Sequence, residues 1–168
     1  LLTNTRPYNF SMAIVWDTPA YEALIRKIQG DSDFSSVQDW HFVKQTVGFY
    51  GKECAIINAT QNAPHPTEFR TVSMFSGYQI MRATNGKAKA WLATGCPYYC
   101  QYAVFRQVLV TSVRYQINET QFSPNWPLEV KQRLAKGELN SWEDMFRLDL
   151  PDYVAKDHLT NFAVISYL

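Results

Sequence analysis

The chain has 168 residues and a mass of 19.4 kDa, enough to bury a core in one domain without cross-links. With 46% apolar and 18% charged residues it is not a disordered chain. Sixteen Lys and Arg against fifteen Asp and Glu leave a net charge of +1, and no basic run exceeds Lys87-Ala88-Lys89, which excludes the positive stripe that nucleic-acid binding needs.

No apolar run reaches the length of a transmembrane helix, so no membrane span is expected. The start, Leu1-Leu2-Thr3-Asn4, has no basic region of the signal-peptide type, as in a chain that never had such a peptide or is already mature. The outlying feature is the 25 Phe, Tyr and Trp residues, 15% of the chain. That much ring surface must be packed inside, line a pocket or form an interface.

In chain order, Tyr8–Trp16 reads as an apolar β-run. Asp17-Thr18-Pro19 then supplies a capping residue and a first-turn proline, and Tyr21, Leu24 and Ile28 share one face of a short amphipathic helix that Gly30 ends. From Trp40 to Ile117 the length and β-branched or aromatic content of seven segments predict strands. They are 40–47, 53–58, 68–75, 78–84, 87–93, 101–106 and 108–117. Asn85-Gly86 is the strongest turn signal, because both residues tolerate the positive φ of a type I′ hairpin. A two-residue loop there places Met81, Ala83, Ala88, Ala90 and Leu92 on one face and Arg82, Thr84, Lys87 and Lys89 on the other.

A helix over 127–136 follows, with Asn125 or Trp126 as cap, Pro127 in its first turn and Gly137 closing it. Trp126, Val130 and Leu134 recur every four residues and are expected to pack on the sheet, leaving Lys131, Gln132 and Arg133 outside. A second short helix over Ser141–Phe146 has a serine cap and acidic residues in its first turn. Phe162–Leu168 reads as a last strand. No internal repeat or low-complexity linker divides the chain, so residues 1–168 form a single domain.

Three cysteines, Cys54, Cys96 and Cys100, fit neither the thioredoxin spacing nor a zinc site, and His41, His65 and His158 show no ligand spacing. No metal is expected. The cysteines read either as a disulfide from Cys54 to one of the other two, with an odd thiol buried or bonded to another chain, or as three reduced core thiols. Asn9-Phe10-Ser11, Asn58-Ala59-Thr60 and Asn118-Glu119-Thr120 fit the N-glycosylation pattern at Asn9, Asn58 and Asn118. Together these features favour a secreted, extracellular glycoprotein.

A series of short strands opened by a tryptophan and followed by one amphipathic helix resembles the lipocalin (calycin) family. The stretch Asp33–Val43, containing Gln38-Asp39-Trp40, looks like that family's Gly-x-Trp region, with Gln38 at the glycine position. Cys96–Phe105 is similar to its Thr-Asp-Tyr region, and Val113-Arg114-Tyr115 to the strand whose arginine packs over the conserved tryptophan. The resemblance covers residues 33–168, leaving 1–32 as an extension with a short strand and helix. It implies a β-rich α+β fold: an antiparallel up-and-down β-barrel with a short N-terminal helix and a C-terminal helix. It also implies that Trp40 and Arg114 are a structural pair. On the inner faces, Phe42, Met81, Ala90, Leu92, Tyr102 and Phe105 are the expected ligand contacts.

No catalytic signature supports an enzyme. Asp39 lies near His41 and Asp157 adjoins His158, without a nucleophile at motif spacing, and no nucleophile elbow, Walker loop or dinucleotide fingerprint occurs. The leading expectation is a secreted binding and transport protein that sequesters a small hydrophobic ligand, such as a lipid or pigment, in an aromatic-lined interior, with no obligatory cofactor. The alternative is a structural or interaction subunit of an extracellular or virion assembly, an oligomer held by aromatic surface or the odd cysteine. The third is a small acid–base enzyme with a His–carboxylate dyad at His41 or His158.

Overall fold

The computed structural model describes residues 11–31, 48–50, 54–60, 66–110, 125–149 and 155–168. Strand β1 (Ser11–Val15) leads into helix α1 (Thr18–Asp31), and strands β2 (Gly48–Tyr50) and β3 (Cys54–Asn58) follow. The β1–α1 sequence is as the local signals predict. Asp17 accepts from the Ala20 amide at 2.8 Å and caps the helix, which runs one residue past Gly30.

The sheet has three strands in the order β1-β3-β2. Its centre, β3, runs parallel to β1, with Ser11 opposite Cys54 and Val15 opposite Asn58, and antiparallel to β2, with Gly48 opposite Ile57. The ladder extends one step beyond the strands through the Ala59 amide, which donates to the Val15 carbonyl at 2.8 Å. Ala55, Ile56 and Ile57 are all buried, as a strand covered on both faces requires. On one face Ile56 packs with Tyr21 and Ile25 of α1. On the other, Met74 of helix α2 (Thr67–Ala83) brings its Cε within 3.0 Å of where a Cβ at Gly48 would lie, and Gly48 pairs with Ile57, which places α2 on the Ile57 side.

Beyond this α/β half the chain is helical: α3 (Ala90–Phe105), α4 (Trp126–Ala135), α5 (Trp142–Arg147) and α6 (Ala155–Tyr167). α3 packs against both α2 and α6, and α6 in turn touches α4 and α5. Their core is Tyr98, Val108, Val110, Trp126, Leu159 and Phe162, with Tyr102, Val130 and Leu139 against it. Its rings meet at angles: Trp126 edge-on to Phe162 at 5.3 Å, Tyr102 edge-on to Phe162 at 5.6 Å and Tyr98 tilted on Trp126 at 5.4 Å.

The antiparallel β-barrel is therefore not the fold, and the lipocalin-like architecture is corrected to a small mixed sheet beside a helical half. Of the predicted strands, 53–58 contains β3; 68–75 and 78–83 are successive parts of α2, 87–89 link into the first turn of α3 at 90–93, 101–105 end α3, and 108–110, the described part of 108–117, are not strand. The physical reason lies in what each helix buries. α2 turns Arg70, Ser73, Met74, Gly77 and Tyr78 inward, a helical spacing hidden because most of those residues are small or polar. The Asn85-Gly86 turn does form, with φ of 51° and 74°, yet it joins α2 to α3 instead of pairing two strands. The last strand expected over 162–168 is the second half of α6.

The two capped helices are found as read. Asn125 accepts from the Leu128 amide at 3.2 Å and Ser141 from the Asp144 amide at 3.2 Å. Trp126 and Val130 pack into the helical core, however, not on a sheet, and Leu134 is 66% exposed. The strand 40–47, the segment 111–117 and the residues Asn9, Trp40, His41, Phe42, Arg114 and Asn118 lie outside the described residues.

Candidate functional site

The parallel strands β1 and β3 end side by side, and α1 and α2 start from the segments that follow them. In α/β sheets this carboxyl edge is where ligands are held. Three polar residues are buried there: Asn58 closes β3, Thr60 lies two residues on, and Arg70 reaches back from the first turns of α2. The Asn58 carboxamide oxygen accepts from the Thr60 amide at 3.1 Å and the Thr60 hydroxyl at 2.7 Å, an Asx turn that breaks the strand. Nη1 of Arg70 donates to the Asn58 carbonyl, and Nη2 to the Thr67 hydroxyl at 3.1 Å.

Arg70 is 4% exposed, and its Nε is buried with no hydrogen-bond acceptor among the described residues. No carboxylate among them lies within ion-pair distance of the guanidinium. Burial pulls its pKa below the ordinary arginine value, while attraction from Glu68 and Tyr21 acts the other way. A polar seam continues along the α2–α3 contact. Gln101 donates from Nε2 to the Ser73 hydroxyl, and its Oε1 accepts from the Leu109 amide at 2.8 Å, tying the segment after α3 to the helix pair.

The five predicted ligand contacts among the described residues are spread over the end of α2 and both ends of α3. Met81 lies in the last turn of α2, Ala90 and Leu92 in the first turn of α3, and Tyr102 and Phe105 near its end. Tyr102 is used by Phe162, and Phe105 stacks on Phe69 at 4.2 Å. No motif in the sequence marks Arg70 or Thr67 as site residues, while Asn58 and Thr60 fall within a sequon. Glycosylation at Asn58 is not supported: the residue is 0% exposed and its carboxamide oxygen is engaged by Thr60, so the side chain is not presented to solvent. The disulfide is corrected, because Cys96 and Cys100 are both free thiols and neither pairs with Cys54. Burial pushes the Cys96 thiol up to about 11, with Cys100 beside it adding to the rise, and raises Cys100 against a hydrogen bond from Ser76. Both thiols stay protonated and poorly nucleophilic at neutral pH.

The neighbours Asp157 and His158 are buried on α6 and engage different partners. Asp157 accepts from the Asn140 carboxamide, and His158 Nδ1 shares a 2.6 Å hydrogen bond with the Tyr98 hydroxyl. Burial pushes the His158 pKa down to about 4, so the ring is neutral at physiological pH. Among the described residues no group of three His, Cys, Asp or Glu is placed to hold a metal ion, and no helix is long and apolar enough to cross a membrane. Elsewhere in the helical half, Phe146 meets Trp91 edge-on at 5.2 Å and lies 6.1 Å from Trp142, with the Trp142 and Phe146 rings partly exposed.

The class that these features define is an α/β chain with a three-stranded mixed sheet, a polar strand-end cluster and an aromatic helical half. No family model matches it, and no curated protein or solved structure matches it either.

Proposed function

We propose that this chain is a small-molecule-binding protein whose ligand sits at the carboxyl edge of β1 and β3, against the first turn of α2. The observation that carries the reading is the gathering of Asn58, Thr60 and Arg70 there, buried and held by one another. Burying a polar group costs stability unless it is satisfied, and within this cluster the Arg70 Nε has no acceptor among the described residues, which supports a ligand that supplies one. The reading keeps ligand binding from the carrier expectation but replaces its apolar barrel cavity with a polar edge.

Chemical-shift mapping with a library of small polar molecules tests it. Ligands should perturb amides around 15–21, 58–60 and 67–70 first. Perturbations centred on the helical half, with that edge unmoved, would overturn the reading.

A subunit role in an assembly is the second reading, favoured by the partly exposed Trp142 and Phe146 rings on α5. Sedimentation velocity checks it. Self-association that Trp142→Ser weakens supports it, and a monomer at every concentration removes it.

A further inference from the structure

We infer that the group recognised at the β1–β3 edge is an oxyanion, a phosphate or a carboxylate, taken by Arg70; this rests on the ligand-binding reading of that edge. Arg70 is the fourth residue of α2, and its guanidinium folds back to Thr67, the first. A full positive charge is thereby held at the helix end that already carries the positive pole of the macrodipole. The helix is 17 residues long, and its N-cap is Pro66, which provides no side-chain acceptor. First-turn amides without a side-chain cap and a cation beside them are a poor arrangement in isolation and a good one around an anion.

The guanidinium has five donors, and two have partners: the Asn58 carbonyl and the Thr67 hydroxyl. Nε is buried and meets no acceptor among the described residues. Native proteins rarely leave such a donor unmet, and removal from water is more costly still when the group is charged. Glu68, in the first turn, offers attraction through space, but it is exposed and makes no ion pair with Arg70. An oxyanion at Nε supplies the missing acceptor and charge together, and its planar or tetrahedral oxygens suit the guanidinium fork. Because the guanidinium is buried, the occupant is a small molecule's anionic head, not the face of a nucleic acid or a lipid bilayer. The Thr67 hydroxyl, which accepts from Nη2, keeps its own proton to donate to the oxyanion.

The test uses inorganic phosphate and acetate as separate probes on the full chain, at constant ionic strength set with chloride. Binding is followed by thermal shift and by the Arg70 Nε–H resonance in NMR. The expected result is a saturable rise in melting temperature and a shifted, exchange-protected Arg70 Nε–H with at least one probe. The stronger response with phosphate names a phosphate ligand, and with acetate a carboxylate. Arg70→Lys, which keeps the charge and loses the fork, should weaken binding about tenfold, and Arg70→Met should abolish it. Should Arg70→Met fail to fold, the Nε–H signal of the wild type decides alone.

Probe binding that leaves that signal unmoved, or that persists in Arg70→Met, overturns the inference. So does the absence of any response. If neutral ligands still perturb the edge in that case, the binding reading stands and only its anionic character fails; if nothing binds there, both fail.

Discussion

His158 is 0% exposed, and its Nδ1 is tied to the Tyr98 hydroxyl deep between α3 and α6. A histidine with an ordinary value of 6.5 and a folded value of about 4 is protonated more readily in the unfolded chain. The sign follows from linkage: stability is full above about pH 6.5, falls as the pH drops toward 4, and loses nothing more from this group below that. The loss across this window is on the order of 3 kcal/mol. Urea unfolding from pH 7 to pH 4 measures it, and His158→Gln should flatten the curve. A pH dependence unchanged in that variant would assign the effect to other groups. Tyr98→Phe leaves a buried ring nitrogen without this hydroxyl, and should cost about 1–3 kcal/mol at pH 7 in the same assay. The pairing was not legible beforehand, because sixty residues separate the partners. His158 stood out only for its neighbour Asp157, which turns to Asn140 instead.

At the scale of elements, the contact between α3 and α6 depends on Gly95. A Cβ at this position would lie 2.6 Å from the Asn161 carbonyl oxygen and 2.7 Å from Ile165 Cγ1. Replacing a helical glycine with alanine ordinarily gains about 1 kcal/mol. Here the nearest obstacle is backbone, which cannot turn aside, so Gly95→Ala should lower stability by about 1–3 kcal/mol net. Denaturant midpoints decide between the two signs, and a stabilised variant would show that the helices are not in this contact. The Asn125 cap is a milder case: Asn125→Ala should cost about 1 kcal/mol through the lost bond to the Leu128 amide, read from the same midpoints.

Caps and turns were readable in the sequence because they act over three or four residues, as at Asp17, Asn125, Ser141 and Asn85-Gly86. The element type between them often was not. Glu68–Phe75 looks like a strand when apolar residues alone are counted. Its buried side in fact runs through Arg70, Ser73 and Met74 and continues into Gly77 and Tyr78. α3 hides its period in another way, with apolar residues on every side and Pro97 within it.

For the whole molecule, the far-UV circular dichroism spectrum should be dominated by helix, since among the described residues the sheet consists of β1, β2 and β3. A β-dominated spectrum would contradict the fold. The three strands serve less as a core than as a frame that brings the ends of β1 and β3 together beside α2. Among the described residues, Tyr98, Tyr102, Trp126 and Phe162 fill the core of the helical half. The apolar ligand expected from the barrel loses its chamber, and the site shifts to polar residues at a strand edge. Arg70, the centre of that site, had no motif around it. It becomes distinctive only when α2 buries it against Asn58 and Thr67.

By itself the sequence determined the charge balance, the wealth of rings, the first strand and helix, and the ends of three helices. These depend on composition or on contacts within a turn of the chain. Tertiary structure alone decided that β3 pairs with β1 in parallel, that 67–83 is one helix and not two strands, and that Arg70 loses water where it could meet an anion. Those outcomes depend on which distant residues remove a side chain from solvent. A small or polar residue carries no mark in the sequence of whether its helix will turn it inward.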